Sequence, residues 1–98
     1  MRVKVIHTAW EDMPVHVADV IAPAEFTVEQ ALEFAFRWTN NVDTDWSIEP
    51  STRVEVKGNA TRTRSNGQSI GLRSTCVGDI MEAGGKIWTV ASYGFTEV

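Results

Sequence analysis

Residues 79–92 constrain this chain more than any other stretch. Two short alternating segments, 79–83 and 86–92, meet at Gly84-Gly85. Paired glycines between alternating runs predict a tight β-hairpin, because such turns need positive φ. The hairpin is entered through Val77-Gly78-Asp79 and left through Tyr93-Gly94-Phe95, which returns an aromatic ring to the core. A chain patterned this way must build a sheet from local pairing. The same stretch holds no nucleophile beside a base, no metal-ligand set and no phosphate loop.

The rest of the chain supplies the partners for that hairpin. Val3 and Val5 alternate with Arg2, Lys4 and Ile6, until Glu11-Asp12-Met13-Pro14 breaks the pattern. Alternation resumes over 15–21, with Val15, Val17 and Asp19 opposite His16, Ala18 and Val20, and Pro23 closes it. Phe26-Thr27-Val28-Glu29-Gln30 predicts a helix start, with Thr27 as cap, Gln30 completing a capping box and Phe26 placed for a hydrophobic staple. At 100° per residue, Val28, Ala31, Leu32, Phe34, Ala35, Phe36 and Trp38 share one arc of about 200°, wider than the stripe of an ordinary surface helix. Asn40-Asn41 predicts the stop. Residues 52–57 read as a strand, and Asn66-Gly67 predicts a further hairpin between 61–64 and 68–72. The sum is a single domain over 1–98 of α+β class. One amphipathic helix (about 27–40) packs on a twisted, mostly antiparallel sheet of about five strands.

At 98 residues the chain is long enough for one core without metal or disulfide staples. The single cysteine, Cys76, cannot form an internal disulfide, which fits a reducing compartment. No long apolar run predicts a signal peptide or a membrane span. The net charge of −4 hides an asymmetry: residues 1–50 hold three basic residues against nine acidic, and residues 51–98 hold six against four.

Each chemistry-bearing residue has a plainer alternative. Cys76 has no histidine near it in sequence, so a structural thiol outweighs a nucleophile. His7 and His16 lie on adjacent predicted strands but lack a third fixed ligand for a metal. Asp43 and Asp45 share a polar loop whose default chemistry is bonding to their own backbone. Arg53, Lys57, Arg62, Arg64 and Arg73 form a basic region, and Arg62 and Arg64 fall on one face of a hairpin that a nucleic-acid groove would admit. The acidic balance of the whole chain argues against a dedicated nucleic-acid binder. Charges that protect an edge strand are the plainer reading. Trp10 and Trp46 sit at segment ends beside acidic residues, which suits partly exposed interface anchors, and packing over the helix end explains them equally well. Phe34 and Phe36 fall at opposite edges of the helix arc, which predicts that one of them serves an interface, in a homodimer or with another protein.

Two pieces carry a resemblance. The run Ala31-Leu32-Glu33-Phe34-Ala35-Phe36-Arg37-Trp38-Thr39-Asn40-Asn41, followed by Trp46-Ser47, resembles the middle of small uncharacterised proteins of tailed bacteriophages. The run Gly71-Leu72-Arg73-Ser74-Thr75-Cys76-Val77-Gly78-Asp79, with Gly85, Trp88, Val90 and Gly94-Phe95, is similar to their C-terminal segment. The resemblance covers about half of the chain. It implies a phage or prophage accessory protein in the cytoplasm of the infected bacterial host, and it carries over no catalytic residue. The leading expectation is a non-enzymatic protein that binds a host or defence protein through Trp10, Phe34, Phe36, Asp43, Asp45 and Trp46, with no cofactor and no membrane partner. The alternative is nucleic-acid binding through the basic 53–73 hairpin.

Overall fold

The computed structural model describes residues 1–42, 44–57, 62–63 and 69–98. The elements run β1 (Arg2–His7), β2 (Val15–Ile21), α1 (Val28–Trp38), β3 (Val54–Val56), β4 (Arg62–Thr63), β5 (Ser69–Ile70), β6 (Ile80–Ala83), β7 (Lys86–Val90) and β8 (Phe95–Glu97). Six strands form one antiparallel sheet in the order β3-β2-β1-β6-β7-β8, and β4 pairs with β5 separately. The α+β class therefore holds, with one helix and one more strand in the main sheet than the alternation predicts. The extra strand is β8, which follows the Tyr93-Gly94 turn. Asn66-Gly67 lies outside the described residues.

One face of the sheet carries the core. Val3, Val5, Ala18, Val20, Met81, Ala83 and Val90 are buried there against Ala31, Leu32 and Ala35 of α1. The two helix alanines have no exposure at all, and their small side chains let the helix axis approach the sheet. Phe34 and Phe36 are both half-buried, on opposite flanks. Phe34 meets Phe26 and Trp38 edge-on, with ring centroids 5.8 Å and 6.2 Å away, while Phe36 meets Phe95 at 6.4 Å. The wide arc is thus filled by aromatic rings on both sides of a narrow alanine seam.

The capping box at the helix start is built as the sequence predicts, while Phe26 packs on Phe34. Thr27 Oγ1 accepts from the Gln30 amide, and the Gln30 side chain accepts from the Thr27 amide at 2.9 Å. The predicted stop is corrected. The helix ends at Trp38 with Thr39 as cap, its amide and hydroxyl both donating to the Ala35 carbonyl. No residue other than glycine has positive φ among those described, so the left-handed freedom of Asn40-Asn41 is not used. Asn41 instead clamps loops: its amide donates to Ser74 Oγ, its side chain to the Leu72 carbonyl, and its Oδ1 accepts from the Trp46 amide.

The simple alternation of β2 is also corrected. Val5 pairs with Ala18 but Ile6 pairs with His16, so a bulge at Val17 adds one residue to β2. Residues three apart in a regular strand point to opposite faces. Past the bulge, His16 and Asp19 share the helix-free face, and His16 Nε2 reaches Asp19 Oδ1 at 2.7 Å. Asp19 also takes Arg2 at 2.6 Å and Lys57 at 3.2 Å. Burial pushes its carboxyl up, but the hydrogen bonds from His16, Lys57 and Arg2 outweigh this and leave it below the usual carboxylate range.

The last hairpin closes at Gly84 (φ +62°) and Gly85 (φ +76°). A Cβ on Gly85 would meet nothing, whereas one on Gly84 would lie 2.8 Å from Val28 Cγ2. Gly85→Val is expected to destabilise by about 1–3 kcal/mol through backbone strain alone. Gly84→Val should cost more, because the helix start is pushed off as well. Urea unfolding of both variants measures the difference, and equal losses would show that Val28 yields freely.

Candidate functional site

The described structure is most unusual chemically at one end of the sheet, where β1 ends and β6 begins. The turn 76–79 enters β6 through Gly78 at φ +96°, and it places the Asp79 carboxylate in the interior with no exposure. A buried carboxylate is tolerable only when its oxygens are filled by donors. Oδ1 accepts the amides of Thr8 (2.9 Å) and Ala9 (3.0 Å) and Arg73 Nη2 (2.8 Å). Oδ2 accepts the Cys76 amide (2.8 Å) and Arg73 Nη1 (2.7 Å). Burial raises the Asp79 carboxyl, yet Arg73 and the three amides hold it well below the usual carboxylate range.

Arg73 is gripped from two sides. While Nη1 and Nη2 engage Asp79, Nε and Nη2 engage Glu11 at 3.1 Å and 2.7 Å. The guanidinium thus joins two carboxylates in paired, planar contacts, the geometry that favours arginine over lysine. Its hydrogen bond to Asp79 is the chief cause that holds the guanidinium proton more firmly than usual. The same hydrogen-bonding arginine lowers the Glu11 carboxyl. Through Thr8, Ala9 and Glu11, this cluster fixes the 8–14 loop between β1 and β2.

Beside it runs a buried polar chain. His7 Nε2 lies 3.0 Å from Thr75 Oγ1, and Thr75 Oγ1 lies 2.8 Å from Thr39 Oγ1, which donates to the Ala35 carbonyl at 2.7 Å. His7 is buried against Trp46, whose ring meets it edge-on at 6.2 Å and whose Nε1 donates to the Arg73 carbonyl. Desolvation is the largest influence on His7 and lowers its pKa, so the imidazole is neutral in the folded protein near pH 7.

Four large apolar side chains stand exposed at this end of the sheet, among polar ones such as Asp12 and Ser92. Trp10 is 79% exposed, Met13 74%, Val77 56% and Tyr93 97%. They occupy the 8–14 loop, the 76–79 turn and the 91–94 turn, which the antiparallel order brings to one end of the sheet. Val42 (81% exposed) follows the helix end, which is tied to the same region by the Thr75 amide on the Thr39 carbonyl. From β2 to β8 the row spans four strand spacings, roughly 19 Å.

The predicted site residues separate into groups. Trp10 is exposed on the anchored loop. Phe34 and Phe36 flank the helix. Trp46 is corrected: at 2% exposure it belongs to the core. Asp45 is exposed and its carboxylate sits against Gly71, while Asp43 lies outside the described residues. Of the basic set, Arg73 is corrected to an internal ion pair and Lys57 to a partner of Asp19 and Glu55. Both are already neutralised by carboxylates. Arg53 is exposed and Nη1 reaches the Ile21 carbonyl at 3.3 Å. The Arg62 side chain and Arg64 lie outside the described residues. Cys76 is half-buried with Sγ 3.3 Å from Arg73 Nη1. His7 faces the core and His16 the helix-free face. Among the described residues, no group of three or more His, Cys, Asp or Glu side chains is placed to hold a metal ion. None of their helices is long and apolar enough to cross a membrane.

Sequence reasoning missed the Asp79–Arg73–Glu11 cluster. Its one local signal is Cys76-Val77-Gly78-Asp79, a turn that can return an aspartate onto an amide three residues earlier. The partners Glu11 and Arg73 are 62 positions apart. Compared with family models, curated proteins and solved structures, the chain matches none.

Two outcomes follow for stability. Asp79→Asn leaves Arg73 facing a lost charge in a site with little water, and should destabilise by about 2–4 kcal/mol, less than a fully buried pair because Arg73 keeps some solvent. Acid should act in two stages. The unfolded chain binds a proton on His7 near pH 6.5 that the folded chain refuses, so stability declines as pH falls below about 6.5. Asp79 is ionised in the folded state where the unfolded carboxyl is already protonated, so the loss steepens below about pH 4. Urea titrations across pH 3–8 measure both, and a flat profile from 6.5 to 4 would contradict the assignment of His7.

Proposed function

We propose that this chain is a small accessory protein of bacteriophage type that acts without catalysis, by binding a host or defence protein in the bacterial cytoplasm. The phage origin rests on the resemblance of the 31–47 and 71–95 segments. The binding role rests chiefly on one observation: Trp10 stands 79% exposed on a loop whose backbone is fixed from beneath by a buried carboxylate. A large aromatic side chain held on a rigid base binds with little ordering cost, and such residues dominate the energetics of interfaces. Met13, beside Trp10, and Val77 and Tyr93 are exposed at the same end of the sheet, and grouped apolar exposure marks binding sites. Asp12, exposed beside Trp10, adds negative charge and favours a partner with a basic rim around an apolar recess.

The test is capture from lysates of relevant bacterial hosts with the wild type and with Trp10→Ala and Tyr93→Ala. Both side chains are exposed, so melting temperatures should not change. Loss of either anchor should weaken capture of a saturable host protein at least tenfold, which is about 1.4 kcal/mol. Undiminished capture by both variants, or no saturable partner in any host, would refute this reading.

A further inference from the structure

The two edges of the main sheet are finished differently. At β3, the outward-facing Val54 amide is taken by the Ser51 carbonyl at 2.9 Å, and Glu55 and Lys57 pair across the strand end. Such devices block pairing with another chain. At β8 an ion pair is present too, Glu97 with Lys86 at 3.4 Å, but among the described residues no backbone bond takes the outward amides. Val98 N donates to the Ile87 carbonyl and Ala91 N to the Gly94 carbonyl, and Thr96 pairs with Thr89 between them. In an antiparallel ladder the alternate residues turn their backbone groups away. Phe95 and Glu97 therefore direct N–H and C=O outward, and among the described residues β8 pairs with β7 alone.

Beside this edge lies a cleft of about 250 Å³ lined by Glu33, Phe36, Val90, Ser92 and Phe95. Phe95 pairs with the buried Val90 and meets Phe36 edge-on, so its side chain is on the helix side, where the cleft opens. A strand added along β8 would place the residue opposite Phe95 on that same side. Its side chain would be delivered into the cleft. Glu33 is exposed at the rim and has no ion pair among the described residues.

We propose that β8 and this cleft receive an extended peptide segment of a partner protein, added as a seventh strand, with one bulky apolar side chain in the cleft and a lysine or arginine beside it opposite Glu33. Main-chain hydrogen bonds to Phe95 and Glu97 supply register, and the cleft supplies selectivity, as in other modes of strand addition. The inference rests on the reading of the chain as a binding protein, but it concerns a surface separate from Trp10.

The experiment uses the full chain and a displayed library of random ten-residue peptides, followed by solution affinities for the enriched peptide as a synthetic probe. Enriched sequences should share a bulky apolar residue next to Lys or Arg. Glu97→Pro removes an outward N–H, which an edge strand tolerates, together with the exposed Lys86–Glu97 ion pair, whose loss costs little, and should weaken the probe at least tenfold with a nearly unchanged melting temperature. Should that variant unfold, two other measurements decide. Backbone N-methylation of the probe at the residue opposite Phe95 should abolish binding, and Glu33→Lys should lower affinity for the basic probe at least tenfold. No enrichment over bare matrix, or a probe indifferent to both N-methylation and Glu33→Lys, would overturn the proposal. The selection needs no host protein, so its failure leaves the Trp10 surface standing, and loss of host capture leaves this edge standing.

Discussion

The buried Asp79 carboxylate is the point on which one end of this fold depends. It joins three segments distant in sequence: the 8–14 loop through the amides of Thr8 and Ala9, the turn into β6 through the Cys76 amide, and the 71–75 crossing through Arg73. A charge with no solvent exposure is unfavourable unless every lone pair is used. Five donors meet that demand, and each donor is thereby fixed in place. The energetic gain of such a cluster over an apolar core is small or negative. What it supplies is a single arrangement for loops that otherwise have few reasons to choose one.

Trp10 and Val77 stand exposed on segments that the cluster bonds. The 8–14 loop is bonded at its base through the Thr8 and Ala9 amides, and Trp10 stands outside it. The helix contributes from the other side of the same end. Thr39 closes α1 and at once binds the strand-entry segment through the Thr75 amide, so helix end, loop and turn are braced together. Polar atoms in the interior and apolar atoms on the surface invert the ordinary partition. Among the described side chains, every fully buried nitrogen and oxygen has a hydrogen-bond partner, so the inversion carries no unsatisfied group.

Much of this architecture was legible in the residues. Gly84-Gly85, the alternation of 2–6 and the Thr27–Gln30 capping box are local signals, and each sets local geometry. The misreadings share a cause, which is dependence on distant partners. Asn40-Asn41 is a sound local stop, but the helix closes one residue before it with Thr39 as cap, where Thr39 also bonds Thr75. The phase of β2 slips because Val17 bulges to keep Ala18 and Val20 in the core while His16 reaches Asp19. Trp46 looks like a surface anchor beside Asp45 until His7 and the Arg73 carbonyl enclose its ring. Arg73 looks like one more basic residue in a basic stretch until Glu11, 62 positions away, shows what it is for. Charge pattern reveals which residues bear charge, and only the fold reveals which charges are already spent.

The chain from His7 to Ala35 has a direction. The Ala35 carbonyl can only accept, so the Thr39 proton points to it. Thr39 then accepts from Thr75, and Thr75 in turn accepts from the imidazole. His7 is therefore the tautomer with its proton on Nε2. Three aligned hydrogen bonds run from β1 to a carbonyl near the C-terminal, negative end of α1. Dipoles arranged head to tail in a dry interior reinforce one another. An imidazolium would keep the same Nε2 donor, so what acid costs is the burial of a charge on His7 and not the loss of this chain. The protein can thus lose stability under acid while its helix and sheet keep their handshake.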